Sequence, residues 1–124
     1  MDQAPPFEPH PISPELVAII QTMLEKFAVR AVSRVAIESI PLLTVYSRCP
    51  CGCASVDFVS PRPKLSQSAI VSDAVATMRG GERVGLIVWA SPDAVLSFEI
   101  YECDFYLLGT LPDPGTIQSF FPTD

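Results

Sequence analysis

Three cysteines alternate in Cys49-Pro50-Cys51-Gly52-Cys53, and a fourth, Cys103, stands apart. In extended backbone, residues i, i+2 and i+4 project to one side, so the three thiols converge if Pro50 and Gly52 let the chain bend. Converging thiolates suit a soft ion: Cu(I) on three sulfurs, or Zn²⁺ with Cys103 or His10 as the fourth ligand. The spacing departs from the paired CxxC of zinc ribbons and knuckles. The same atoms support a thiol-redox reading, in which a Cys-x-Cys pair closes a small, strained disulfide and the third thiol resolves it. Arg48 is the one neighbouring cation, and no helix start follows to activate a thiol. The simplest reading is packing. A thiol side chain behaves as a small, commonly buried hydrophobe, and Pro-Cys-Gly-Cys-Ala fits a tight arch.

Other chemistry is thin. His10 is the single histidine and sits among prolines, which argues against Ser-His-Asp and Cys-His hydrolases. At strand spacing Glu99 and Glu102 face opposite sides, so they read as solvated acids rather than an acid/base pair. Gly80-Gly81 lacks the strand–loop–helix context and the lysine of a phosphate loop, and reads as a turn. Trp89 is expected in the core, with a ligand pocket near Phe27 and Trp89 as a lesser option. The chain is therefore expected to be non-enzymatic.

The elements that must position these residues follow from periodicity and punctuation. Five prolines fall in the first fourteen residues, so residues 1–12 read as an extended arm, loose or laid along the surface of a single domain over 13–124. Ser13, Pro14 and Glu15 form a helix start. Leu16, Ile19, Ile20, Met23, Phe27 and Ala31 then recur at helical spacing, which predicts an amphipathic helix from Pro14 to about Val32. Val35–Ile40 is β-branched and reads as a short extended piece, interrupted by Pro41. Leu42–Arg48 and Ala54–Val59 read as strands of a hairpin with the cysteine block at its tip. Ser68–Met78 fits helix or strand; the Gly-Gly turn that follows favours strand. Arg83–Ala90 and Ala94–Glu102 are strands around the turn Ser91-Pro92-Asp93, with Leu96, Phe98 and Ile100 on one face and Ser97, Glu99 and Tyr101 on the other. The expected fold is α+β: an N-terminal amphipathic helix packed on a four- to five-stranded, mainly antiparallel meander sheet.

Composition narrows the classes. Hydrophobic residues make up 48% of the 124 and charged residues 18%, which excludes disorder as the default state. The longest apolar runs, Leu16–Ile20 and Leu86–Ala90, fall far short of the ~20 residues of a membrane span. The first residues lack the basic and apolar regions of a secretory signal, so a cytoplasmic location and no membrane partner are expected. Eight basic residues against fourteen acidic ones give a net charge of −6, which disfavours nucleic acid. The imbalance is local: all the bases lie between Lys26 and Arg83, and six acids follow Val84 with no base. The late hairpin is thus expected to attract a basic partner.

The block Cys51-Gly52-Cys53-Ala54-Ser55 and the later Leu96-Ser97-Phe98-Glu99-Ile100-Tyr101 resemble a group of small bacterial proteins that share a Cys-Gly-Cys-x-Ser block and a late Leu-Ser-x-x-Glu-Ile-Tyr strand, although here a single residue, Phe98, separates Ser97 from Glu99. The resemblance implies a bacterial, cytosolic origin and no particular activity. In size, acidity and lack of catalytic residues the chain is similar in style to immunity proteins of toxin systems. The expected function is protein binding through Glu99, Tyr101, Glu102 and Asp104. The alternative is a Zn or Cu(I) or thiol-redox site at Cys49, Cys51 and Cys53, with Cys103 as a further ligand.

Overall fold

Helix α1 (Pro14–Lys26) starts where the residues demand it: the Ser13 side chain accepts from the Leu16 N–H, and Pro14 fills the first helical position. Its inner face (Leu16, Ile19, Ile20, Met23 and Leu24) is buried. The computed structural model describes residues 7–49, 54–61, 68–101 and 110–119.

Three long strands form the centre of the sheet: β5 (Ala69–Thr77), β6 (Arg83–Ser91) and β7 (Ala94–Tyr101). They run as an antiparallel meander. The segment that fits helix or strand by sequence is β5. Gly81, at φ 94°, makes the β5–β6 turn, and Pro92-Asp93 make the two-residue β6–β7 turn. Short strands extend the centre: β1 (His10–Pro11), β2 (Thr44–Val45), β3 (Ser47–Arg48), β4 (Val56–Asp57) and β8 (Gln118–Ser119). The main sheet has six strands in the order β3-β4-β7-β6-β5-β8, and β1 pairs with β2 in a separate ribbon. The expected four to five strands thus become six plus two. Strands of two residues are too short to display a period in the sequence.

The core lies between α1 and one face of this sheet. Ala74 and Ala76 of β5, Val84, Leu86 and Val88 of β6, and Phe98 and Ile100 of β7 are buried there. Small alanines beneath the helix let it approach β5 closely. Ile12, at 7% exposure, belongs to this core, and its N–H donates to Leu43 O at 3.0 Å.

Three sequence expectations need correction. The helix ends at Lys26 and not near Val32, because the chain turns to pair with β5. Ala28 bridges Ser72, and the Val29 N–H donates to Val71 O. The buried Ser72 hydroxyl lies 3.0 Å from Phe27 O, just past the helix end, and 3.2 Å from Met23 O, which also accepts from the Phe27 N–H. Val35–Ile40 is not extended. Ser33 caps a short helix, α2 (Arg34–Glu38), and a 3₁₀ turn over Ile40–Leu42 follows with Pro41 inside it. Lastly, Leu42–Arg48 is not one strand. It divides at Tyr46, so that β2 joins the ribbon and β3 joins the main sheet.

In β7 a bulge opposite Trp89 and Ala90 hands the core-facing register from Leu96 to Val95. Phe98, Ile100, Ser97, Glu99 and Tyr101 keep the alternation read from the sequence.

Candidate functional site

Helix α1 covers one sheet face. Cross-strand partners share a face, so register assigns the residues of the side opposite α1. Asp57, Ser97 and Trp89 form one row across β4, β7 and β6; Glu99, Ile87 and Asp73 form the next across β7, β6 and β5. Tyr101, Gly85 and Val75 form a third. The face therefore carries three carboxylates, from Asp57, Asp73 and Glu99, around an apolar middle of Trp89 and Ile87. Arg83 stands at its far end, opposite Thr77.

Tyr101 has a defined place on this face. Its ring lies directly over Gly85, where any Cβ would collide with it. From there its hydroxyl reaches across β6 to donate to Asp73 Oδ1 at 3.4 Å. A glycine in the strand interior leaves a hollow, and the cross-strand aromatic fills it. At the other end of the face, Asp57 Oδ2 accepts from the Ser47 hydroxyl at 2.9 Å. Trp89 is half-buried on this side, and its Nε1 is enclosed with no hydrogen-bond partner among the described residues.

That position corrects two expectations. Trp89 lies on the side opposite the core, because Val84, Leu86, Val88 and Ala90 take the helix-facing parity of β6. Phe27 closes the end of α1 on the helix side. The two rings are separated by the sheet and line no common pocket.

Of the proposed contact residues, Glu99 and Tyr101 fall on one face, and both are half-buried. Glu102 and Asp104 lie outside the described residues. Sequence reasoning missed Asp57 and Asp73. Both come onto this face because β4 and β5 flank the β6–β7 hairpin, which only the strand order reveals.

The cysteine hairpin forms as far as it is described. Ser47 pairs with Asp57 and Arg48 with Val56, and the Cys49 N–H donates to Ser55 O at 3.0 Å. Cys49 is half-buried and packs against the core. Cys51, Cys53 and Cys103 lie outside the described residues. His10 stands near the base of this hairpin, with Nε2 3.5 Å from an Arg48 guanidinium nitrogen. Its Nδ1 donates to Pro11 O at 2.9 Å, which leaves Nε2 as the nitrogen facing Arg48. Among the described residues, no three His, Cys, Asp or Glu side chains gather as a metal site.

Comparison with protein-family models, with curated proteins and with solved structures gave no match. The class is therefore defined by the chain's own architecture: a mixed helix-and-sheet protein with one main helix on an antiparallel sheet. Among the described residues no helix is long and apolar enough to cross a membrane.

Proposed function

We propose that this chain is a non-enzymatic protein-binding module, and that its contact surface is the sheet face opposite α1, around Glu99 and Tyr101. The supporting observation is the arrangement of three carboxylates, Asp57, Asp73 and Glu99, around Trp89 and Ile87. Tryptophan and tyrosine set among charges are the residue types that anchor protein interfaces. The partner is basic on the surface it presents, because among the described residues the acids of this face outnumber its one base, Arg83. Charges at the rim steer association and select partners more than they add affinity.

The test begins with capture of partners on immobilised wild-type chain, each candidate then being purified and titrated against wild type, Glu99→Lys and Asp73→Lys. Under this reading affinity falls roughly tenfold or more with each reversal and weakens as salt rises. A purified partner that binds all three chains equally, or binds more tightly with added salt, sinks the proposal.

A second reading is favoured by the hairpin geometry. The strand pairing runs right up to the cysteine block, from Arg48–Val56 to the Cys49–Ser55 bond, and brings His10 near its base. Under this reading Cys49, Cys51 and Cys53 bind Zn or Cu(I), or cycle as thiols. Anaerobically purified, untagged protein then carries close to one metal per chain, or shows a reversible thiol–disulfide couple, and single replacement of any of the three by Ser abolishes it. If all three single variants keep both properties of the wild type, this reading fails.

A further inference from the structure

A cavity of about 160 Å³ opens where α1, the β1–β2 ribbon and the cysteine hairpin meet. Its walls include Leu16, Val45 and Val56, and its polar lining is His10, Ser13 and Arg48. It lies on the helix side of the sheet, away from the face proposed for protein binding, and nothing below rests on that reading.

Arg48 sets the character of the cavity. In a chain with fourteen acids and eight bases, its neighbours are an aromatic ring and an imidazole. The guanidinium carbon lies 5.2 Å from the Phe7 ring centroid, and His10 Nε2 lies 3.5 Å from one of its nitrogens. Phe7 and His10 also pack against each other, tilted by 53° with 5.5 Å between centroids. Among the described residues the one ion pair is Arg34–Glu38, on α2. Arg48 is therefore an oriented fork of donors with no carboxylate among the described residues to receive them. The start of α1 adds to the same field: Ser13, its cap, lines the cavity, and the positive end of the helix dipole opens there.

We propose that this cavity binds a small organic carboxylate, with its charged head on Arg48 and its short apolar chain against Leu16, Val45 and Val56. A guanidinium matches a carboxylate in bidentate geometry. The apolar walls favour a ligand with a hydrocarbon portion, since they leave a wholly polar anion without partners on that side. The volume sets the size. At ~30 Å³ per water-sized unit it holds only a handful of heavy atoms, which matches a chain of about three to six carbons. For so few atoms, at ligand efficiencies well below the best known, the expected affinity is roughly 0.1–5 mM.

The experiment is a titration of ¹⁵N-labelled full-length chain, followed by amide shifts, with sodium butyrate, butyramide and inorganic phosphate as separate probes at constant ionic strength. The proposal expects saturable shifts from butyrate at His10, Ser13, Leu16 and Val56. It expects binding at least tenfold weaker for butyramide, which has the same shape without the charge, and for phosphate, which has charge without the chain. In Arg48→Gln, an exposed substitution with no core to disturb, butyrate affinity falls at least tenfold. The proposal is overturned if butyrate shifts do not saturate by roughly 20 mM, if butyramide or phosphate binds as well, or if Arg48→Gln binds as wild type does.

Discussion

The side chain of Ser55 pairs with the backbone of Ile100 as a strand residue would. Its hydroxyl accepts from the Ile100 N–H at 2.9 Å and donates to the Ile100 carbonyl at 3.3 Å. Its own carbonyl meanwhile accepts from the Cys49 N–H. One serine thus closes the cysteine hairpin and fastens it to β7, which gives a physical role to the serine of the Cys-Gly-Cys-x-Ser block. Replacement by alanine leaves a partly buried donor and acceptor of Ile100 without this partner. We expect Ser55→Ala to cost about 1–3 kcal/mol in urea unfolding, with faster amide exchange at Ile100.

Gly85 and Tyr101 are complementary in shape, so a change at one is felt at the other. A methyl at Gly85 pushes the ring off the sheet and breaks its reach to Asp73. Gly85→Ala is expected to destabilise by about 1–3 kcal/mol, although alanine is otherwise the better strand residue. In the double variant with Tyr101→Ala, the collision no longer exists. The combined loss should fall short of the sum of the two by at least about 0.5 kcal/mol, read from a double-mutant cycle.

Ser72 ends α1 from the opposite element. Its hydroxyl serves Met23 O and Phe27 O, and it is wholly buried. Ser72→Ala keeps the volume and removes the donor, at an expected cost of about 1–2 kcal/mol. Hydrogen exchange should localise the effect to the end of α1 and to Val29, whose N–H depends on the same junction.

At the other end of the helix, Ser13→Ala removes the acceptor for the Leu16 N–H. The expected loss is about 0.5–2 kcal/mol by thermal or urea unfolding. Ser13→Asp should recover most of it, since a carboxylate both caps and complements the helix dipole.

What was legible in the sequence follows from length and locality. The start of α1 is written in three adjacent residues, and β5, β6 and β7 each run eight or nine residues, long enough for alternation to emerge. The end of α1 was not legible, because Ala28 and Val29 leave the helix to meet Ser72 and Val71, more than forty residues away. The same holds for Ser33. Its cap turns a β-branched stretch into α2, and local propensity gives way to a single hydrogen bond and the packing around Ala36. On the candidate surface, Glu99 and Tyr101 could be placed by parity alone. Asp57 and Asp73 needed knowledge of which strands flank β6 and β7. Trp89 was misread although the chain holds the signal: its parity is opposite to that of Val84, Leu86 and Val88.

The tiling of β5's outer edge bears on what happens when many copies of this chain are crowded together. An unoccupied strand edge is a template on which foreign backbone can polymerise. Here the edge is shared among three unrelated devices. Ala28 and Val29 occupy Val71–Ser72, β8 occupies Ala74–Val75, and the Thr116 hydroxyl lies on the N–H and carbonyl of Thr77. Each covers only a residue or two, yet together they break the long strand into intervals too short to seed a growing fibril. The irregular chain on either side of the sheet acts as a guard against self-assembly by sheet extension.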